Sequence, residues 1–262
     1  MTTWRFARVA LLLSGLVRVL AATMVAAAPA APSAAGAPVW RMGGRASAVA
    51  VQDGVTFALV GMRLLALDIA TGMVLGDLSF AYLPVDLAVE GDYAYVACDG
   101  YEALHIVDIS TPAAMARVGG DRLSTGAWAL ALKAPYLYLF GRGGTEMLVV
   151  YDVSDPAAPV EEAGLQLSSS NYVTRAQLGA DHIYVLSTLG NVGTIDISTR
   201  TSPQEGGWKN AYAANGDLVV AEPRVYVAGT VMFDPGVRVF DATDPDNLQA
   251  LGSWSYTFGG DI

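Results

Sequence analysis

Cysteine and histidine are almost missing from this chain: its 262 residues contain one cysteine, Cys98, and two histidines, His105 and His182. A single thiol excludes an intramolecular disulfide framework. Without a His-Glu-x-x-His run, a paired Cys-x-x-Cys or a Gly-x-Ser-x-Gly elbow, no metal site and no nucleophile elbow can be read from the sequence. Positive charge is scarce too, with 15 Lys and Arg against 25 Asp and Glu and a formal net charge of -10. Phosphate binding needs a cationic face, and no Lys/Arg cluster follows the first residues, so a nucleic-acid partner is not expected. What the chain has instead is 53% hydrophobic residues, 28 glycines and 12 prolines. That mixture excludes disorder and suits many short strands joined by tight turns.

The N-terminus reads differently from the rest. Arg5 and Arg8 precede an apolar run from Val9 through Leu20 to Ala28, which ends in small residues. This is the pattern of a secretory leader over 1–28, with Val25-Ala26-Ala27 as the small-residue cleavage site. Arg18 interrupts the run, and a charge there costs a membrane-spanning helix about 2.5–3.5 kcal/mol. No membrane span is therefore expected after cleavage. Residues 29–38 form an Ala/Pro linker, and 39–262 is read as one repeat domain that is secreted, periplasmic or at the cell surface. Cys98 lies far from the cleavage site, which leaves no lipoprotein route, and in its strand it reads as a small buried hydrophobe.

The domain is organised around Leu104-His105-Ile106-Val107-Asp108-Ile109-Ser110-Thr111-Pro112. Variants of it place Asp68, Asp108, Asp152, Asp196 and Asp241 at intervals of about 40–45 residues, the period of a four-stranded propeller blade. The fold class is accordingly all-β, a β-propeller of four-stranded antiparallel blades. Five blades are legible, and Gly259-Gly260-Asp261-Ile262 matches Asn215-Gly216-Asp217-Leu218 as the approach to a sixth. Val39-Trp40-Arg41-Met42-Gly43-Gly44 resembles the last strand of a blade, so the ring is read as truncated at the C-terminus. Asp53-Gly54 is a hairpin turn. Phe57, Tyr95, Tyr138, Tyr184 and Tyr226 hold one position in the second strands and are expected to pack between blades. Each repeat aspartate precedes a turn whose N–H groups its carboxylate can accept. Gly76, Gly119, Gly164, Gly206 and Gly252 are expected to permit bulges in the outer strands.

These residues resemble the LVIVD repeat family of exported bacterial and archaeal proteins. The resemblance rests on Leu104-His105-Ile106-Val107-Asp108-Ile109-Ser110, on Tyr93-Ala94-Tyr95-Val96-Ala97 before it, and on Asp152-Val153-Ser154-Asp155-Pro156. It implies a propeller at or outside the cell envelope that serves as an interaction module, with no common reaction. Leu64-Leu65-Ala66-Leu67-Asp68-Ile69-Ala70-Thr71-Gly72 looks closer to pyrroloquinoline-quinone propellers. Gly76-Asp77 stands where their docking tryptophan belongs, so no cofactor is expected.

The candidate site lies in the loops entering the innermost strands, where Ala48, Asp86, Ala129, Arg175, Asp217 and Asp261 share one repeat position. Carboxylates gathered around Arg175 suit a cationic group, and the competing reading is that Arg175 pairs with a neighbouring aspartate while the other acids cap their strands. Trp128, Asn171 and Tyr172 offer a stacking surface for a sugar or peptide. Asp241, Asp244, Asp246 and Asn247 lack the alternating ligands and glycine of an EF-hand and read as a turn. Gly141-Arg142-Gly143-Gly144 joins two strands and is no phosphate loop. The functional expectation is a non-catalytic module binding a protein or glycan at the cell surface. The rival is an exported hydrolase or lyase working at the channel mouth near Asp86, Arg175 and Asp217.

Overall fold

Each repeat folds into one four-stranded antiparallel sheet whose strands lie in sequence order. The computed structural model describes residues 46–141, 147–168, 172–231 and 234–255, all within one unit spanning Gly43–Ile262. The expected leader, linker and strand at 39–44, together with Asn171 and the segment 256–262 that carries Asp261, lie outside the described residues.

The first unit has β1 (Ala46–Gln52), β2 (Val55–Val60), β3 (Arg63–Asp68) and β4 (Val74–Ser79). The second has β5 (Leu83–Glu90), β6 (Tyr93–Asp99), β7 (Leu104–Asp108) and β8 (Ala116–Asp121). The third has β9 (Ala127–Lys133), β10 (Tyr136–Gly141), β11 (Leu148–Asp152) and β12 (Val160–Leu165). The fourth has β13 (Val173–Leu178), β14 (His182–Ser187), β15 (Asn191–Asp196) and β16 (Gln204–Asn210). The fifth has β17 (Ala213–Ala221), β18 (Arg224–Val231), β19 (Asp234–Asp241) and β20 (Gln249–Ser255). Only two single 3-10 turns, Pro112–Ala114 and Pro245–Asn247, interrupt the β structure of the described residues. Asp53 and Gly54 both take positive φ, which the tight β1–β2 hairpin requires.

The core explains why second and third strands read as unbroken apolar runs. Among the described residues there are four buried clusters, and each lies between one unit and the next: around Phe57, Leu64 and Val96; around Tyr95, Ile106 and Leu137; around Tyr138, Phe140 and Ile183; and around Tyr184, Val225 and Phe240. A strand covered on both faces has no reason to alternate. Inner strands touch in the order β1, β5, β9, β13, β17.

The repeated ring position divides in two. Phe57, Tyr95, Tyr138 and Tyr184 are buried in these junctions, whereas Tyr226 is 39% exposed. The expectation that it is core is corrected here. Its face of the fifth sheet has no described unit packed against it, so the same residue type at the same position meets solvent.

The junctions share a second contact, made by the backbone carbonyl four residues after each repeat aspartate. A Cβ on Gly76 would collide with the carbonyl oxygen of Pro112, and one on Gly119 with that of Pro156. At the next two junctions the equivalent carbonyls are hydrogen-bonded instead: Tyr138 Oη donates to Arg200 O at 3.3 Å, and Thr194 Oγ1 donates to Pro245 O at 3.0 Å. The outer strands do carry bulges at this level, between Ala66 and Leu67, Ile106 and Val107, Val150 and Tyr151, Gly193 and Ile195, and Val239 and Phe240 of their partner strands. In the third unit Ala163, not Gly164, faces the equivalent residue, Val150.

Candidate functional site

The two ends of the sheets do different work. At the end where third strands finish, each repeat aspartate closes its own turn. Asp68 Oδ1 accepts from the N–H of Ala70 and Thr71 and from Thr71 Oγ1, and Asp152 and Asp241 accept from the N–H and hydroxyl of Ser154 and Thr243. Asp108 and Asp196 accept the N–H of Ser110 and Ser198 at 2.9 and 2.7 Å. Hydroxyl and then amide donation from the turn residue hold Asp68, Asp108, Asp152 and Asp241 below the ordinary carboxylate value, and for Asp196 the Ser198 amide leads. These five carboxylates are committed to turns.

The opposite end is where inner strands begin, and a bulge at one repeat position shapes it. Pairing skips Ser47, Val85, Trp128, Thr174 and the Asn215–Gly216 pair in the five inner strands. A bulge redirects the side chains around it. Directly after it come Ala48, Asp86, Ala129, Arg175 and Asp217, the residues the sequence placed in register.

The structure brings two of them into contact. Arg175 Nε lies 3.5 Å from Asp217 Oδ1, joining the fourth unit to the fifth. Asp86 feels both groups electrostatically from the second unit. Its carboxyl is pushed up to about 6, first by burial, while N–H donation from Leu130 and Leu87 and the Arg175 charge pull downward. Both its oxygens are engaged, Oδ1 by Leu87 N–H at 2.9 Å and Oδ2 by Leu130 N–H at 3.0 Å. Asp217 repeats only the local half of this, accepting from Leu218 N–H at 2.9 Å, and its side chain is largely exposed. Asp86 is thus a stitch between inner strands, and Arg175 with Asp217 is the accessible charge pair.

Trp128 and Tyr172 also meet, edge to face with ring centroids 5.7 Å apart. They come from adjacent units, at the starts of β9 and β13.

Sequence reasoning missed two further contacts at this end. The Arg122 guanidinium lies over the Tyr101 ring at 5.4 Å, and that of Arg238 over Tyr212 at 5.1 Å. Tyr101 sits in the β6–β7 loop and Tyr212 between β16 and β17, and antiparallel strands carry both loops to the end where inner strands start. Tyr101, Tyr172 and Tyr212 are all exposed. Inner-strand stitching was missed as well: Gln177 Oε1 accepts Val220 N–H at 3.0 Å, and Ser47 Oγ donates to Pro84 O at 2.8 Å. These residues differ from unit to unit, so no repeat pattern announces them. Among the described residues no group of three or more His, Cys, Asp or Glu is placed to hold a metal ion.

Residues 85–120 and 126–164 match the family model of the LVIVD repeat. The chain carries LVIVD repeats. They are its second and third units, and units one, four and five repeat their strand order. The structure is similar to the β-propeller domain of Myceliophteria thermophila Cps50 (Swd1), with TM-score 0.63 and 16% identity over 82% of this chain and 73% of that one. It is also similar to the computationally designed Ika8 protein, with TM-score 0.59 and 16% identity over 80% of this chain and 61% of that one. A functionally unknown protein from Desulfotomaculum acetoxidans gives TM-score 0.58 and 11% identity over 75% of this chain and 63% of that one. At such identities the likeness is one of fold: this LVIVD-repeat chain is built from propeller blades. In sequence, 149 residues are 29% identical to the acetyl-coenzyme A carboxylase carboxyl transferase subunit beta of Pelotomaculum thermopropionicum. The match spans 56% of this chain and 44% of that relative, less than half its length.

Proposed function

We infer that this LVIVD-repeat protein is a non-catalytic binding module whose recognition surface is the end where the inner strands begin. The observation that carries the reading is the concentration there of exposed tyrosines and guanidinium groups: Tyr101 with Arg122, Tyr212 with Arg238, Tyr172 with Trp128, and Arg175 with Asp217. Tyrosine, tryptophan and arginine supply large, stiff contact area with polar tips and are the residues enriched in protein interfaces. A protein surface is the partner favoured by this breadth, with a glycan stacked on Trp128 and Tyr172 as the narrower possibility. The apolar leader with its small-residue end supports export, which puts the partner in the periplasm or at the cell surface.

The rival reading, a hydrolase or lyase at the same mouth, draws on the raised carboxyl of Asp86, which feels the charges of Arg175 and Asp217. Against it, both Asp86 oxygens hold backbone N–H groups. One experiment separates the two readings. A panel of purified envelope proteins and immobilised glycans is presented to the wild type and to the Tyr101→Ala/Tyr172→Ala/Tyr212→Ala variant, with hydrolase and lyase substrates assayed in parallel. Binding lost in the variant without any turnover supports the module; turnover abolished by Asp86→Asn would replace it with the enzyme.

A further inference from the structure

Tyr212 stands directly before β17 with φ +53°, a left-handed backbone that strains a bulky residue. The residue directly before β9 also takes positive φ, +78°, and there it is a glycine, Gly126. The structure holds Tyr212 from both sides. Ala211 and Ala213 are fully buried and their N–H groups both donate to Gly190 O, at 2.9 and 3.5 Å, while Tyr212 N–H donates to Asn210 Oδ1 at 2.8 Å. The Tyr212 side chain is nevertheless exposed, so its own burial does not repay the strain. Strained residues that their surroundings over-determine cluster at functional sites, ligand clamps among them.

What the ring contacts is Arg238. Leu218, Val227 and Arg238 pair straight across the fifth sheet, and Leu218 and Val227 belong to the cluster around Tyr184, so Arg238 faces the junction of units four and five. Its guanidinium lies over Tyr212 and, at 5.9 Å, over Phe240. Nη1 donates to Asn210 O at 3.2 Å. Nε is buried without a partner, and Nη2 makes no hydrogen bond among the described residues. The other described arginines of this end each have a carboxylate: Arg63 has Asp77, Arg117 and Arg122 share Glu102, and Arg175 has Asp217. Among the described residues no carboxylate pairs with Arg238. A half-buried guanidinium with neither a counter-ion nor a partner for Nε works against the stability of the fold that keeps it.

We propose that Arg238 anchors the recognition surface by taking a carboxylate of the protein partner, an aspartate or glutamate side chain, at the Nη2–Nε edge of its guanidinium. This rests on the reading of that end as a binding surface. Each neighbour then has a task. Asn210 O engages Nη1 and fixes the guanidinium in rotation, and the Tyr212 ring supports its face. The remaining edge presents two N–H donors side by side, the fork that a carboxylate matches. A carboxylate meets Nη2 first and brings its second oxygen to Nε. Lysine at this position would keep the charge and lose the fork.

The test titrates acetylated, amidated hexaglutamate into the isotope-labelled full chain and follows the arginine Nε–H signals by magnetic resonance. The Arg238 signal is the one missing from Arg238→Lys. It is expected to move saturably with hexaglutamate and to stay in place with hexaglutamine. Arg238→Lys, checked for folding by its melting temperature, is expected to bind the peptide at least about tenfold more weakly, read on the Tyr212 backbone signal. Tyr212→Gly is expected to keep or raise the melting temperature, because glycine takes positive φ without strain, and still to weaken binding at least about threefold. A Tyr212→Gly variant that melts lower and binds as the wild type does would make the pair structural and overturn the proposal. An Arg238 signal that does not move, or unchanged binding by Arg238→Lys, overturns it as well, and so does a response to a glucuronate oligosaccharide alone. The two readings fail separately. A panel protein bound equally by wild type and Arg238→Lys leaves the module standing and removes the carboxylate anchor, whereas a panel without a binder beside a clear hexaglutamate response removes the module and upholds the anchor.

Discussion

Asp86 accepts the backbone N–H of Leu130, 44 residues further along the chain, at 3.0 Å. The bond ties the inner strand of the second unit to that of the third at the level of the inner-strand bulges. Because the same carboxylate also holds Leu87 N–H, its removal orphans two backbone donors at once. Asp86→Ala is expected to cost about 1–3 kcal/mol of stability, the usual penalty for leaving partly buried polar groups unpaired. Asp86→Asn retains one acceptor oxygen and is expected to cost less. Urea unfolding of both variants checks the order.

Two groups with opposite pH responses share one window. The Asp86 carboxyl rises from 3.8 to about 6, so the native state holds its proton more tightly; the stability it contributes is complete below 3.8 and is lost as pH climbs through 6. His105 is buried against Phe80 with its Nε2 3.9 Å from Glu102 Oε2, and burial and then the charge of Arg117 lower its imidazole from 6.5 to about 4 against the opposing pull of Glu102. Its contribution is complete above 6.5 and is lost as pH falls through 4. Between these limits the two slopes oppose each other. Asp86→Asn is expected to leave stability rising with pH from 4 to 6.5, and His105→Phe to leave it falling over the Asp86 range. Melting temperatures at half-unit pH steps distinguish them, and identical profiles for both variants would remove one of the two assignments.

The blades were legible because everything that makes them is local and repeated. An aspartate followed by Ser or Thr writes its own turn, and a run such as Leu137-Tyr138-Leu139-Phe140 between turns has no amphipathic alternative. The candidate site was half legible. Asp86, Arg175 and Asp217 shared a repeat position, so counting placed them at one level, and Trp128 and Tyr172 shared an end. What counting could not supply was direction and neighbour. The bulge that skips Trp128 and Thr174 leaves no compositional mark, and the partnership of Tyr212 with Arg238 joins a loop to a strand 26 residues away. Tyr226 erred for the same reason: a repeat position predicts a residue's orientation, while burial depends on whether a further unit covers it.

The carbonyl contacts between units make a graded prediction. Thr194→Val and Tyr138→Phe each delete one hydroxyl that holds a carbonyl of the next unit, and each is expected to cost about 0.5–1.5 kcal/mol. Gly119→Val is worse in kind, since its Cβ meets a backbone oxygen that cannot rotate away, and about 1–3 kcal/mol is expected. Gly252→Val meets nothing within 4 Å among the described residues and is expected to stay within about 0.5 kcal/mol of the wild type. Chemical denaturation of all four checks the order.

Cys98 lies fully buried at the first junction, beside Phe80 and Val96. Burial pushes its thiol up to about 12, with the Arg117 charge pulling weakly in the other direction. A thiol in that state has almost no thiolate at neutral pH and no path to a reagent, so it is inert while the junction is closed. Labelling by a water-soluble disulfide reagent is therefore expected to be slow in buffer. It should accelerate with urea along the curve for separation of the first two units, ahead of or together with global unfolding. Arg117→Ala, which removes the one charge favouring the thiolate, should leave the buffer rate unchanged because access and not ionisation limits it. Rapid labelling in buffer that slows in Arg117→Ala would instead make Cys98 an accessible, electrostatically activated thiol, contrary to its place in the junction.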